Sequence, residues 1–128
     1  MKLCVTSTGK DMDSRVDEHF GRASCFMIVD TATMDFEVVS NTAQAAEQGA
    51  GISAAQIILD KGAEALLTGI VGPKAFSALR AANVKVYEGA SAADSVRGAV
   101  EKFNRGEYSE ASVPSGGPGR GGRFRGGR

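Results

Sequence analysis

The stretch Asp17-Glu18-His19-Phe20-Gly21-Arg22-Ala23 places the chain's only histidine three residues before Arg22 and six before Cys25. Imidazole and thiolate are borderline-to-soft metal ligands, and a guanidinium pairs with anions. Together these groups could hold a metal, an anion or an anionic metal complex. A bland alternative stays open for each. A lone histidine often serves as a surface or capping residue, and Cys25 can be a small buried hydrophobe, as Cys4 reads. The ligand count narrows the chemistry. A structural zinc site or a self-assembled iron–sulfur cluster takes four protein ligands. Here only His19 and Cys25 are placed to ligate, and no Cys-x-x-Cys occurs. What such a site could take is a preformed anionic metal–sulfur cluster, gripped by one or two ligands, backbone amides and Arg22. Weak ligation of that kind suits cargo that is handed on.

Enzymatic readings find less support, and the chain is read as non-enzymatic. A Cys–His pair is formally available, but no third group to orient it is visible. Thr68-Gly69-Ile70-Val71-Gly72-Pro73-Lys74 is glycine-rich yet lacks the Gly-Lys-Ser/Thr ending of a phosphate-binding loop. No dinucleotide fingerprint is present. The first strand segment, Lys2–Thr8, carries no carboxylate, which argues against two-metal phosphodiester chemistry.

These residues need elements to position them. Lys2–Ser7 shows little polar alternation and reads as a central strand buried on both faces. Residues 8–24 are polar and read as a long loop. Cys25–Asp30 and Phe36–Val39 are strands joined by a short polar turn, hence an antiparallel hairpin. The period then changes. Ser53–Lys61 reads as a helix with Ile52, Ala55, Ile58 and Leu59 on one buried face and Gly62 ending it. Ala65–Thr68 is a buried strand. Pro73 opens a second helix, lined by Ala75, Phe76, Leu79 and Ala82 and ended by Asn83. Val84–Tyr87 is the last strand. Ser91, with Asp94 three residues on, marks the start of the last helix, whose buried stripe is Ala93, Val96, Val100 and Phe103. The order βββαβαβα predicts an α/β fold: one mixed five-stranded sheet flanked by helices, similar to ribonuclease-H-like sheets.

That topology sends four segments to one end of the sheet: 8–24, 41–51, 69–73 and 88–91. Open α/β sheets bind ligands at the carboxyl ends of their strands. Two helices also begin there, and helix N-termini attract anions. Ending a strand accounts for any single glycine, but Gly9, Gly21, Gly49, Gly51, Gly69, Gly72 and Gly89 gather at this end. Gly49, Gly51, Gly69 and Gly72 thereby join the loop around His19 as candidate cofactor-binding positions.

The chain's 128 residues carry 15 basic and 15 acidic side chains, a net of zero that conceals an uneven placement. Four of the basic residues (Arg120, Arg123, Arg125, Arg128) lie in a segment, 114–128, with seven glycines and no acid. The remaining eleven face 15 acids, so residues 1–113 carry a net of −4. The expected organisation is a domain over 1–107 and a disordered Gly/Arg-rich tail over 108–128. Gly119–Arg128 is similar to RGG segments, whose Arg contacts phosphate and whose aromatic stacks on bases. A nucleic-acid-binding or protein-interaction module acting through the tail is therefore the alternative function; an acidic body opposes polyanion binding. No apolar run approaches the ~20 residues of a membrane span. The N-terminus lacks the pattern of a signal peptide, and two cysteines make no disulfide framework. A cytoplasmic location and no membrane partner are expected.

Several of these segments, taken together, match a known pattern. The opening strand, Val16–Ala23 with Phe26–Asp30, Leu67–Phe76 and Val84–Tyr87 resemble, in order, the dinitrogenase iron–molybdenum cofactor biosynthesis family over residues 1–107. The resemblance implies a ribonuclease-H-like fold and a cargo that is iron–molybdenum cofactor-like or a molybdenum–copper sulfide cluster. It also implies donor and acceptor proteins for that cluster. The family's loop motif falls on His19, Phe20, Gly21 and Arg22. On that basis His19 is the first candidate for contact with the metal and Cys25 the second.

Overall fold

The computed structural model describes residues 1–45 and 49–113; residues 46–48 and the segment 114–128 lie outside the described residues. Eight elements follow in the order β1 (Lys2–Ser7), β2 (Cys25–Asp30), β3 (Phe36–Ser40), α1 (Ala50–Asp60), β4 (Ala65–Leu67), α2 (Pro73–Ala81), β5 (Lys85–Tyr87) and α3 (Val96–Asn104). The strands form one mixed sheet in the order β3-β2-β1-β4-β5. β2 runs antiparallel to both β1 and β3, while β4 is parallel to β1 and β5. The central position of β1 explains its unbroken apolar run: Leu3 to Ser7 are buried whichever face they point to.

Strand alternation divides the core in two. Cys4, Phe26, Ile28, Leu66 and Val86 face α1 and α2, packing against Ala54, Ala55, Ile58, Phe76 and Leu79. Leu3, Val5, Met27, Val29 and Leu67 face α3, packing against Val96, Ala99 and Val100. The carboxyl ends of β1, β4 and β5, the start of β2 and the end of β3 all point the same way, so the connecting loops converge there as the topology required.

Three local expectations are corrected. α1 begins at Ala50, three residues before the expected start, and buries Ala50, Ala54, Ala55 and Ile58. Ile52, expected on the buried face, is instead 47% exposed. α3 begins after Ser95, whose Oγ accepts from Gly98 N at 3.0 Å, and not after Ser91. The reason is tertiary. Ser91 Oγ accepts from Ala93 N and Ser91 O from Asp94 N, closing a turn. The segment is then pinned to the first loop by Val16 N to Asp94 O and Val96 N to Ser14 O, at 3.0 and 2.9 Å. With those groups committed, the helix cannot start earlier, Ala93 is left exposed, and Ala99 takes its place in the stripe.

Past α3 the chain turns back along the edge of β5. Ala111 N donates to Val86 O at 2.7 Å, and Glu110 bridges Tyr87. Arg80, stacked 5.5 Å from the Phe76 ring, donates to the carbonyls of Ala111 and Ser112. Residues 108–112, expected in the tail, thus pack on the body and cover what would be an open edge. No helix among the described residues is long and apolar enough to cross a membrane.

Candidate functional site

The converging loops are joined into one unit by backbone and carboxylate contacts. His19 and Ile70 form a short parallel bridge, in which Ile70 N donates to Glu18 O at 2.7 Å and Phe20 N to Ile70 O at 3.2 Å. The contact is so close that a Cβ on Gly69 would lie 2.6 Å from Glu18 O, which is why only glycine fits there. Beneath it, the buried hydroxyls of Thr6 and Thr68 meet at 2.7 Å, and Thr6 Oγ1 donates to Asp17 O. The Glu18 carboxylate accepts from Ala92 N at 2.7 Å, and that of Glu88 from Val71 N at 2.8 Å. These carboxylates tie the loops together by satisfying backbone N–H groups that would otherwise lack partners.

On the α1–α2 side, this unit borders a cavity of about 690 Å³. Phe20, Gly21 and Arg22 form one wall, Gly49 to Ile52 at the start of α1 a second, and Gly72 to Ala75 at the start of α2 a third. Small residues bring the walls together. A Cβ on Gly21 would lie 3.0 Å from Gly51 N, and one on Gly51 would lie 3.0 Å from Ala75 Cβ. Both helices therefore present their first turns to the same space.

Among the described residues, the charged side chains lining the cavity are both cations. The N-cap residues of α1 and α2, Gly49 and Gly72, have no side chain to cap the first N–H groups, and neither helix has an acid in its first turn. α3, on the other face of the sheet, is capped by Ser95. The two open helix starts add positive dipole ends to the charges of Arg22 and Lys74. Among the described residues, no carboxylate lines this cavity. Arg22 is positioned by reciprocal contacts: its Nη1 donates to Gln44 O at 2.7 Å, and Gln44 Nε2 donates to Arg22 O at 3.1 Å.

Of the residues singled out by sequence, Phe20, Gly21, Arg22, Gly49, Gly51 and Gly72 come together on the cavity wall. Gly69 stands behind the wall, in the zipped loop. His19 is exposed and does not line the cavity; its backbone N–H is held by Asp17 Oδ1 at 3.2 Å. Cys25 is not brought to the cavity. Strand alternation turns it, with Met27 and Val29, toward the α3 face, where Sγ donates to Gly9 O at 2.8 Å. Burial pushes its thiol above the usual range, with the nearby Ser7 and Lys10 opposing that shift. Cys4, fully buried on the other face, is pushed up further by the same cause. No group of three or more His, Cys, Asp or Glu among the described residues could hold a metal ion.

The profile of the dinitrogenase iron-molybdenum cofactor family matches residues 1–106. The chain belongs to that family. Among solved structures, it is similar to the apo form of the orange protein from Desulfovibrio gigas, with 46% identity and a TM-score of 0.86, covering 89% of this chain and 95% of that one. It is also similar to a Thermotoga protein, solved by NMR and assigned to the DUF35 family, at 38% identity and a TM-score of 0.74, covering 85% of this chain and 91% of that one. An uncharacterised protein of Methanocaldococcus jannaschii is 33% identical over 79 residues, which are 59% of this chain and 67% of that one.

In this member of the dinitrogenase iron-molybdenum cofactor family, sequence reasoning passed over three kinds of residue at the site. Lys74 lines the cavity from the second position of α2, where a cation opposes the helix dipole. That local conflict was a usable signal. Ile52 was assigned to the core by periodicity. Asn41 carried no signal at all. Its buried side-chain amide donates to Gly21 O at 3.1 Å and Ala23 O at 2.9 Å, while Oδ1 accepts from Ala43 N at 3.0 Å. All its hydrogen-bonding groups are engaged, and the Gly21–Ala23 loop is fixed by them.

Proposed function

We propose that this protein carries an anionic metal–sulfur cluster, iron–molybdenum cofactor-like or molybdenum–copper sulfide, in the cavity between the starts of α1 and α2, and catalyses no reaction on it. The observation that carries this reading is the convergence of Arg22, Lys74 and two uncapped helix starts on one cavity without a lining carboxylate among the described residues. Family membership supports the class of cargo, and the name of the Desulfovibrio relative's structure, an apo form, speaks of a protein that also exists loaded.

The grip is chiefly electrostatic. Backbone N–H groups at both helix starts and the two cations face the cluster's outer atoms, so no bond from protein to metal is required. His19, exposed and next in sequence to Phe20 of the wall, is the candidate for one direct ligand. Such a site releases cargo without breaking several metal–ligand bonds, which suits transfer from a donor protein to an acceptor.

Anaerobic reconstitution with tetrathiomolybdate, with and without copper or iron, tests the reading by visible spectroscopy after desalting. The wild-type protein is expected to retain the chromophore, and Arg22→Ala with Lys74→Ala to lose most of it. No retention by wild type, or equal retention by the double variant, would sink the proposal. His19→Ala separates direct ligation from purely electrostatic binding, and elemental analysis of protein purified anaerobically from its native host names the metals.

A further inference from the structure

Ile52 stands where neither folding nor helix formation calls for it. It is the third residue of α1, a position at which an acid or an amide ordinarily satisfies the free N–H groups of the first turn. A β-branched aliphatic residue supplies no such partner there. The side chain belongs to neither core, and at 47% exposed about half of its surface is left uncovered by the fold. Instead it forms part of the cavity wall, with Phe20, Pro73 and Ala75 as apolar neighbours. Among the described residues, Arg22 and Lys74 are the only polar side chains on that wall. No hydroxyl or amide side chain among the described residues lines it.

Positive charge with apolar contact and, among the described residues, no neutral side-chain donor discriminates between anions of equal charge. An oxygen-coordinated anion is compact, holds its water tightly and needs many donors to replace it. A sulfur-coordinated anion is larger and more polarisable. Its desolvation costs less, because that cost falls as ionic radius rises, and its sulfur surface gains from contact with a hydrocarbon side chain. We propose that Ile52 is a specificity-determining residue, which makes the cavity prefer a sulfur-coordinated anion to an oxygen-coordinated anion of the same charge and shape. The inference rests on the cavity being the cargo site, and it adds what the cavity excludes and which side chain is responsible.

Tetrathiomolybdate and molybdate form a matched pair for the test, both tetrahedral dianions. Their affinities for the full chain are measured by anaerobic equilibrium dialysis at fixed ionic strength. Covering about 60 Å² of apolar surface corresponds to about a tenfold change in affinity. Wild type is therefore expected to bind tetrathiomolybdate at least about tenfold more tightly than molybdate. Ile52→Ser should remove most of that ratio by weakening tetrathiomolybdate alone, and Ile52→Leu should keep it. Lys74→Gln should weaken both anions and leave the ratio in place. Because Ile52 lies outside both cores, its variants should stay folded, which a thermal melt of each checks.

A wild-type ratio near one, or an unchanged ratio in Ile52→Ser, overturns this inference and leaves the cavity as an anion site. Binding of neither anion by wild type, or binding of both unaffected by Lys74→Gln, overturns the cavity reading and this inference with it.

Discussion

Cys4 and Cys25 point to opposite faces of the sheet, and burial raises the proton affinity of both thiols. The consequence for reactivity is direct, since the thiolate is the nucleophile and the soft ligand. At pH 8 both thiols should stay protonated and react with iodoacetamide far more slowly than in the unfolded chain. The consequence for stability has a definite sign. A thiol whose folded pKa lies above its unfolded value, about 8.5, contributes stability that is complete below that value and is lost as pH rises through the folded pKa. Unfolding free energy measured by denaturant should therefore decline as pH climbs above about 8.5. Rapid native-state labelling of Cys25 would contradict the buried position and restore it as a candidate ligand. The sequence could not decide this for Cys25. Two-residue alternation groups it with Met27 and Val29, but which face of β2 meets α3 follows only from the assembled sheet. The His19–Arg22 loop was legible because motif and topology agreed on it. Asn41 was not, because its role depends on carbonyls 18 and 20 residues away in sequence.

At the scale of elements, the helix starts show a division of labour. α3 is closed by Ser95, whereas α1 and α2 begin at glycines that offer no side chain. Gly72 is a sharp test of this difference. Its φ of −68° and ψ of 163° suit any residue, and a Cβ there meets nothing within 4 Å. Gly72→Asp should therefore fit without strain, cap α2 and favour the helix dipole, adding about 0.5–1 kcal/mol of stability. The same carboxylate would stand in the cavity and repel an anion. Thermal unfolding should rise by a few degrees while tetrathiomolybdate retention collapses; a rise in both would refute an anion site at α2. Sequence patterning located the strands well, because β1, β2 and β4 are buried runs with clear ends. It misplaced the start of α3, because Ser91 and Asp94 satisfy a turn as readily as a helix cap, and the loop at Ser14 and Val16 decides between them. It misassigned Ile52 for a related reason: periodicity gives the face of a helix, while the first turn of α1 meets a cavity instead of the sheet.

For the whole molecule, charge placement predicts separate controls on uptake and on retention of the proposed cargo. Residues 1–113 carry a net of −4, and the four arginines of 114–128 bring the chain to zero. An anionic cluster approaching the body alone meets a repulsive field until it comes within about 10 Å of Arg22 and Lys74, the screening length at 0.1 M salt. Long-range charge acts chiefly on association rate, and local contacts set how long the cargo stays. Truncation after Val113 should therefore slow uptake of tetrathiomolybdate several-fold at low ionic strength. Added salt should narrow the gap by screening the repulsion, and the dissociation rate should not move. Stopped-flow absorbance at two salt concentrations, followed by dilution, measures both rates. If truncation instead speeds dissociation at either salt, the arginines belong to the grip itself, and the cavity wall built from α1, α2 and the Arg22 loop is only part of the binding site. If neither rate changes, the tail's charge serves another partner, and salt-dependent RNA binding by the full chain but not by the truncated one would identify it.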